Sequence, residues 1–247
     1  MSDQSGTSRI VTGPTEERTL FGRRKGKKLR VHQADLIADL LPRLAVDTTQ
    51  PIDAPATLFA RPVQSVRLEI GFGGSEHLVA EAVREPGVGF IGCEPFVNGV
   101  AKLLVQVEER NLTNIRIHHG DARQILLRLP TGSIGRVDVL YPDPWPKWRQ
   151  RKRRFLSRDN LQAISRVLTP GGTLHVATDI DDYAGWVLAR VAAMPELVWC
   201  AREATDWTRP WAHWPGTRYE AKAHREGRAP AYLTFVRSDA SSEGSAP

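Results

Sequence analysis

An α/β fold with a mostly parallel central sheet, helices on both faces and an antiparallel C-terminal edge is what this chain of 247 residues predicts. Three observations carry the prediction. From Val66 onward, short apolar runs rich in β-branched residues alternate with longer stretches of helical periodicity, the pattern of a parallel sheet with crossover helices. The first run opens into a glycine turn, Gly71-Phe72-Gly73-Gly74, as a Rossmann-like βαβ unit does. Two late apolar runs are separated by a long Trp- and Pro-rich excursion and are placed together as the antiparallel edge.

In chain order, strands are expected at Val66 to Ile70, Gly89 to Glu94, Ile115 to His119, Val137 to Tyr141 and Thr173 to Thr178, with Leu197 to Arg202 and Tyr232 to Arg237 at the edge. Helical periodicity fills Ser75 to Arg84, Pro95 to Arg110, Ser157 to Leu168 and Asp182 to Ala193. Ser75 and Ser157 have hydroxyls suited to N-caps, and Pro95 suits a first helical position, where its missing N–H is no loss. Residues 1–17 and 238–247 are rich in Ser, Gly, Thr and Pro and too poor in large apolar residues to offset ordering entropy, so both tails are expected to be disordered. Residues 18–60 read as a basic N-terminal arm and helix, joined through the Pro51, Pro55 and Pro62 stretch to a main domain over residues 61–237.

Apolar residues make up 41% of the chain, enough for a sizeable core. The net charge of +6 suits an anionic partner or a solvated surface equally, and only clustering of the cations separates the two. Two cysteines, Cys93 and Cys200, exclude a disulfide framework or a thiolate zinc site and point to a reducing cytoplasm; Cys93 reads as a small core residue. No run approaches the roughly 18 apolar residues of a membrane span, and the polar N-terminus lacks the apolar stretch of an export signal.

The chemistry gathers where the strands end. Glu69, Glu94, Asp143 and Asp179 stand at or just after four strand ends, and Asp121 follows the fifth, so all five should converge on one crevice outside the sheet's carboxyl edge. Taken singly each suits a turn or a helix cap; the repetition is the signal. Glu94 follows Gly74 by twenty positions, the spacing at which a carboxylate reaches a ribose diol. A dinucleotide fits poorly, because its fingerprint's third glycine is Glu76, which sets negative charge at the helix start a pyrophosphate needs. S-adenosylmethionine has a ribose and adenine, no phosphate, and cationic sulfonium and amino groups, so an acidic rim with an open turn at Gly71 and Gly73 suits it. Asp121 then lies within reach of the adenine amine.

Tyr141-Pro142-Asp143-Pro144-Trp145-Pro146-Lys147 is the most distinctive stretch. Its prolines fix φ and restrict each preceding residue, holding Asp143 in a stiff turn. If a ring nitrogen such as guanine N7 accepts the methyl group, its lone pair is already free, and a carboxylate serves by favouring the cationic product ring. Asp143 is the first candidate for that role and Asp179 the second. Trp145 reads either as a base-stacking platform or as a plug on the sheet end. Lys147, Arg149, Arg151, Lys152, Arg153 and Arg154 place six cations in eight positions, as do Arg23, Arg24, Lys25, Lys27, Lys28 and Arg30; such density repels itself unless a polyphosphate relieves it. The second block has Trp148 interleaved and makes the stronger case for RNA. Gly216-Thr217-Arg218-Tyr219-Glu220 reads as a polar segment able to close over the crevice, or as a plain surface loop.

These motifs together resemble the bacterial tRNA (guanine-N7-)-methyltransferase family over about residues 66–237, through Glu69 to Gly73, Ile91 to Glu94, Gly120-Asp121-Ala122, Pro142 to Lys147, Lys152 to Arg154, Ala177 to Asp179 and Thr217 to Glu220. The proline-aspartate-proline-tryptophan turn is specific; the glycine turn is shared by many methyltransferases. The resemblance implies a class I methyltransferase fold, S-adenosylmethionine as cofactor, and methylation of a guanine in the tRNA variable loop. It implies cofactor contacts at Glu69, Gly71, Gly73, Glu94, Asp121 and Asp143, with Asp143 also catalytic. Substrate contacts are implied at Lys147, Asp179, Thr217, Arg218, Tyr219 and Glu220, and RNA contacts at Arg149, Arg151, Lys152, Arg153 and Arg154. Arg218-Tyr219 stands where Lys-Phe is common, and Trp148 interrupts the basic run. Members occur as monomers and homodimers. The competing readings are a methyltransferase for an exocyclic base amine, a non-catalytic RNA-binding module with a degenerate pocket and, most remotely, an NAD-linked oxidoreductase.

Overall fold

The computed structural model describes Gly22 and residues 26–238; the tails at 1–17 and 239–247, and Arg23, Arg24 and Lys25 of the first basic block, lie outside the described residues. The chain runs α1 (Val31–Asp39), α2 (Leu41–Leu44), β1 (Ser65–Ile70), α3 (Glu76–Arg84), β2 (Val88–Cys93), α4 (Val97–Arg110), β3 (Ile115–His118), α5 (Ala122–Arg128) and β4 (Ile134–Leu140). It continues through α6 (Arg158–Val167), β5 (Leu168–Thr178), α7 (Asp181–Val191), β6 (Leu197–Trp199), α8 (Thr205–Thr208), α9 (Arg218–Arg225) and β7 (Ala231–Arg237). The seven strands form one sheet in the order β3-β2-β1-β4-β5-β7-β6. The first five are parallel, and β7 runs antiparallel between β5 and β6, which is the expected edge.

Strand alternation sorts the side chains into two layers. Leu68, Ile70, Ile91, Val137, Val139, Leu174 and Val176 bury one face against Ile125, Leu126, Leu161, Ile164, Tyr183 and Val187 from α5, α6 and α7. On the other face Phe90, Ile115 and Ile117 meet Leu78, Val79, Leu103, Leu104 and Leu36 from α3, α4 and α1. Under β1, β4 and β5 that second face changes character. The register sets Glu69 beside Asp138 and Asp138 beside His175, so polar residues share it with Arg67 and Arg136.

Several local expectations shift for identifiable reasons. Ser75 occupies the N-cap position of α3 with φ 69°, but its hydroxyl donates to the Gly74 carbonyl and caps nothing. Pro95 lies ahead of α4, whose first residue is Val97, because Glu94 Oε1 accepts the Phe96 N–H at 2.9 Å and turns the chain there. Ser157 does cap α6, accepting from the Asn160 N–H. β6 stops at Trp199, short of Arg202, since Asp206 accepts the N–H groups of Arg202 and Glu203 and folds that stretch into a turn. The stretch after Leu44 is packed and not a free connection. Val46 N–H donates to Ile117 O at 2.9 Å beside β3, and Val46, Ile52 and Phe59 are buried in the main core. No helix among the described residues is long and apolar enough to cross a membrane, and none of their His, Cys, Asp and Glu side chains cluster as a metal site would require.

Candidate active site

The glycine turn that follows β1 is left-handed at Gly71 (φ 76°) and Gly73 (φ 52°), conformations a side chain disfavours. Nothing lies within 4 Å of where a Cβ on Gly71 would stand, so the turn faces open space. Glu94 fixes the turn from the next strand, its Oε2 accepting the Gly73 N–H at 2.7 Å. On α4, Gly99 lets the helix approach, as a Cβ there would meet Gly73 O at 2.5 Å. Burial pushes the Glu94 carboxyl up; the N–H groups of Phe96 and Gly73 work against this, while Asp143 and Glu69 add to it. The carboxylates do gather: Glu94 feels Asp143 and Glu69, the Cys93 thiol feels Asp121 and Glu94, and the Tyr219 hydroxyl feels Glu94 and Asp143.

Beneath the turn the charges are paired. Glu69 is only 4% exposed, and its Oε2 lies 2.7 Å from His77 Nδ1 on α3. Burial opposes the charged His77 ring, but the Glu69 carboxylate outweighs it and holds the imidazole above its ordinary range. Glu81 accepts from Arg67 (3.0 Å), Arg84 (2.5 Å) and Arg136 (2.6 Å), and Arg136 also donates to Asp138 at 2.9 Å. Burial would raise the Glu81 carboxyl, yet the hydrogen bonds from Arg84 and Arg136 hold it down at about 2. His175 stacks on Trp211 with ring centroids 4.5 Å apart, and burial pushes it down to about 4 despite Asp138 beside it.

At the rim, the turn after β4 is strained. Tyr141 (φ 49°) and Trp145 (φ 41°) take left-handed backbone conformations on either side of Asp143, the sort of strain that collects at functional sites. Partial burial raises the Asp143 carboxyl, and among the described residues no side chain forms an ion pair or hydrogen bond with it. Arg154 locks the turn in place. It is 2% exposed, donates from Nε to Pro144 O at 2.7 Å, pairs with Asp182, and lies over Tyr183 and Trp186 of α7. A 3-10 turn, Trp148–Arg153, carries the rest of the basic block. Arg151 pairs with Asp182 at 2.6 Å and lies over Trp148, and Arg153 lies over Trp145; Lys147, Arg149 and Lys152 are exposed.

α9 covers the turn from the far side. Thr217 and Glu220 form its capping box, and Glu220 also accepts Trp214 Nε1 at 2.8 Å and the Tyr232 hydroxyl. Arg218 pairs with Glu76 at 2.5 Å, at the start of α3. The Tyr219 ring passes within 3.3 Å of where a Cβ on Gly73 would be. Asp179 pairs with Arg228 at 2.7 Å. The N-terminal arm borders the same crevice: Gly26 N–H donates to Asn98 Oδ1 at 2.8 Å, and a Cβ on Gly22 would lie 3.5 Å from Asp143 Oδ2. A groove of about 680 Å3 between α3 and α4, lined by Val79, Val83, Lys102 and Gln106, is bordered by none of Glu94, Asp121 and Asp143.

Residues 63–233 match the protein family described as "Putative methyltransferase". The tRNA (guanine-N(7)-)-methyltransferase of Nitrobacter hamburgensis is 51% identical over 238 residues, covering 96% of this chain and 92% of that protein. The enzymes of the same description from Rhodopseudomonas palustris (strain BisB18) and Agrobacterium fabrum are 55% and 54% identical, over 91% and 90% of this chain and 90% and 99% of theirs. This chain belongs to the tRNA (guanine-N7-)-methyltransferase family. Among solved structures, the aminoglycoside resistance methyltransferase NpmB1 is similar with a TM-score of 0.49 and 19% identity, covering 71% of this chain and 88% of that one.

For this member of the methyltransferase family, the structure brings Gly71, Gly73, Glu94, Asp121 and Asp143 together beyond the strand ends and gives other expected site residues structural contacts of their own. Glu69 sits under the turn, its Oε2 2.7 Å from His77 Nδ1 and its charge acting on Glu94. Arg154 is buried in an ion pair and is not available to RNA, because Asp182 and two aromatic faces hold it. Thr217 and Glu220 use their oxygens to cap α9, leaving Tyr219 and Arg218 as the residues that face the turn. Asp121 caps α5 and accepts from Arg123 Nε at 2.9 Å. Sequence reasoning missed His77, Asn98 and Tyr141 as site residues. Only Tyr141 had a signal, its place directly before the proline turn.

Proposed function

We propose that this chain transfers the methyl group of S-adenosylmethionine to N7 of a guanine in the variable loop of tRNA, in the cytoplasm, with residues 61–237 as the catalytic domain. The observation that carries the reading is Asp143: a carboxylate with no ion-pair partner among the described residues, on a strained turn at the mouth of an acidic crevice, with exposed cations immediately after it. The cofactor fits what is present. The space over Gly71 is open, and Glu94 and Asp143 repel one another there, a repulsion that a cationic ligand relieves.

When bound, S-adenosylmethionine supplies an activated methyl carbon. Glu94, held by two N–H groups, presents its remaining lone pairs to the ribose diol. Asp121, at the start of α5, would accept from the adenine amine with the lone pairs that its bonds to Arg123 leave free. Guanine N7 needs no base, since its lone pair is free, so the protein's task is alignment and charge. Asp143 supports the positive charge that develops on the ring, an effect worth roughly 10²- to 10³-fold in rate for a well-placed group. Lys147, Arg149 and Lys152 hold the phosphate backbone.

The test is incubation with labelled S-adenosylmethionine and unmodified tRNA, followed by borohydride and aniline cleavage to map N7-methylguanine. Label incorporated without a cleavable site, or with an exocyclic methylamine on nucleoside analysis, rejects the assignment.

A further inference from the structure

We propose that Tyr141 and Tyr219 are the two walls of a slot that takes the target guanine between their faces, and that this slot prefers the cationic, N7-methylated ring to the neutral one. The inference rests on the guanine-N7 reading above and adds to it a recognition element and a product preference.

The two rings lie within 20° of parallel with centroids 6.3 Å apart. A flat base sandwiched between two rings needs about 7 Å, twice the stacking rise of about 3.4 Å, more than the present centroid distance, so a base enters only as the exposed Tyr219 ring swings outward. Tyr141 is the fixed wall and Tyr219 the one whose ring can turn. The Tyr141 N–H donates to Ala177 O at 2.7 Å, which ties the residue to the sheet, and its left-handed backbone turns the chain away directly after that bond. Tyr219 is 48% exposed, on a helix fixed by its capping box and by the Arg218–Glu76 pair. The neighbouring aromatics are already occupied: Trp211, Trp214 and Tyr232 meet each other edge to face, and Trp145 has Arg153 over it.

Charge surrounds the slot on both sides. Glu94 and Asp143 act on Tyr219, and Asp179 and Glu220 act on Tyr141. Aromatic faces carry the negative end of the ring quadrupole and attract a cation set over them. Methylation at N7 makes the guanine ring such a cation, so the two faces and the carboxylates around them favour the product ring and the transition state that leads to it.

The test uses the full chain with 7-methylguanosine 5′-monophosphate and guanosine 5′-monophosphate as probes, titrated separately, alongside tRNA methylation kinetics. The wild-type chain should bind the methylated nucleotide roughly 3- to 30-fold more tightly. Tyr219→Leu should bring that ratio close to one and lower kcat/KM for tRNA by roughly 10-fold or more, while Tyr219→Phe, which keeps the face, should keep the nucleotide preference. Because Tyr219 is half exposed, the Leu variant should melt like the parent. A wild-type chain that forms N7-methylguanine in tRNA yet binds the two nucleotides equally overturns the slot and leaves the function standing. So does a Tyr219→Leu variant with unchanged kcat/KM and an unchanged nucleotide ratio. A wild-type chain that makes no N7-methylguanine overturns the functional reading and the slot with it.

Discussion

Glu81 and Asp143 are both carboxylates served by the same sheet, and they stand in opposite electrical surroundings. Three arginines converge on Glu81, from β1, α3 and β4, and the acid is held down at about 2. Asp143 has no arginine against it among the described residues, and partial burial raises its carboxyl. The difference is one of supply. Beneath the sheet the chain provides cations next to every acid, so the charges cancel and become structure. At Asp143 it withholds them, and the charge left over there is available to a ligand, whereas Asp121 and Asp179 at neighbouring strand ends are paired with Arg123 and Arg228. The basic block divides along the same line: Arg151 and Arg154 are consumed by Asp182, whereas Lys147, Arg149 and Lys152 stay in solvent.

This contrast breaks if the two clusters respond alike to mutation. The largest expected effect is at the rim, where Asp143→Ala should lower turnover by roughly 10²-fold or more with tRNA affinity and melting temperature nearly unchanged, as read from single-turnover kinetics and filter binding. Near-normal rates would show that Asp143 is only a turn former. Beneath the sheet, Arg136→Met should do the reverse. It leaves Glu81 and Asp138 short of a buried partner, which should cost about 3–5 kcal/mol of stability in denaturant unfolding, and a variant as stable as the parent would refute the pairing argument.

Acid should sharpen the comparison further. Folded His175 takes up a proton only near pH 4, against 6.5 for the free side chain. The unfolded chain therefore protonates first. The contribution of His175 is complete above pH 6.5 and is lost as the pH falls towards 4, by about 3 kcal/mol in all. His118, also lowered by burial, has the same sign and His77 the opposite, so the measurement is the difference in slope between wild type and His175→Asn in unfolding midpoints across that range. Equal slopes would mean that His175 is not the group responsible. The smallest effects belong to the exposed cations. Lys147→Ala, Arg149→Ala and Lys152→Ala should each reduce the salt slope of tRNA binding by roughly one, whereas Arg154→Met should leave that slope alone and lower the melting temperature.

What the sequence made legible was local. Parallel strands show as apolar runs, turns as Gly and Pro, and the proline turn after Leu140 is rigid whatever surrounds it, so the five strand ends and the crevice they frame were readable. Pairings were not, because the partners lie far apart in the chain: Arg154 and Asp182 by 28 residues, Arg228 and Asp179 by 49, Arg218 and Glu76 by 142. Nothing in the basic run distinguished Arg154 from Lys152, since burial beside α7 is decided by tertiary packing. α9 was missed although Thr217-x-x-Glu220 is a capping-box pattern, because its polar composition offers no apolar stripe to mark a helix.

Glu220 joins the start of α9 to an indole and to a strand through one carboxylate. The first turn of this solvent-facing helix is therefore bolted to the sheet and cannot fray on its own. Its amide protons should exchange with solvent about as slowly as those of β7, and a base arriving at Tyr219 meets a rigid jamb that yields only by ring rotation or by a tilt of the whole helix.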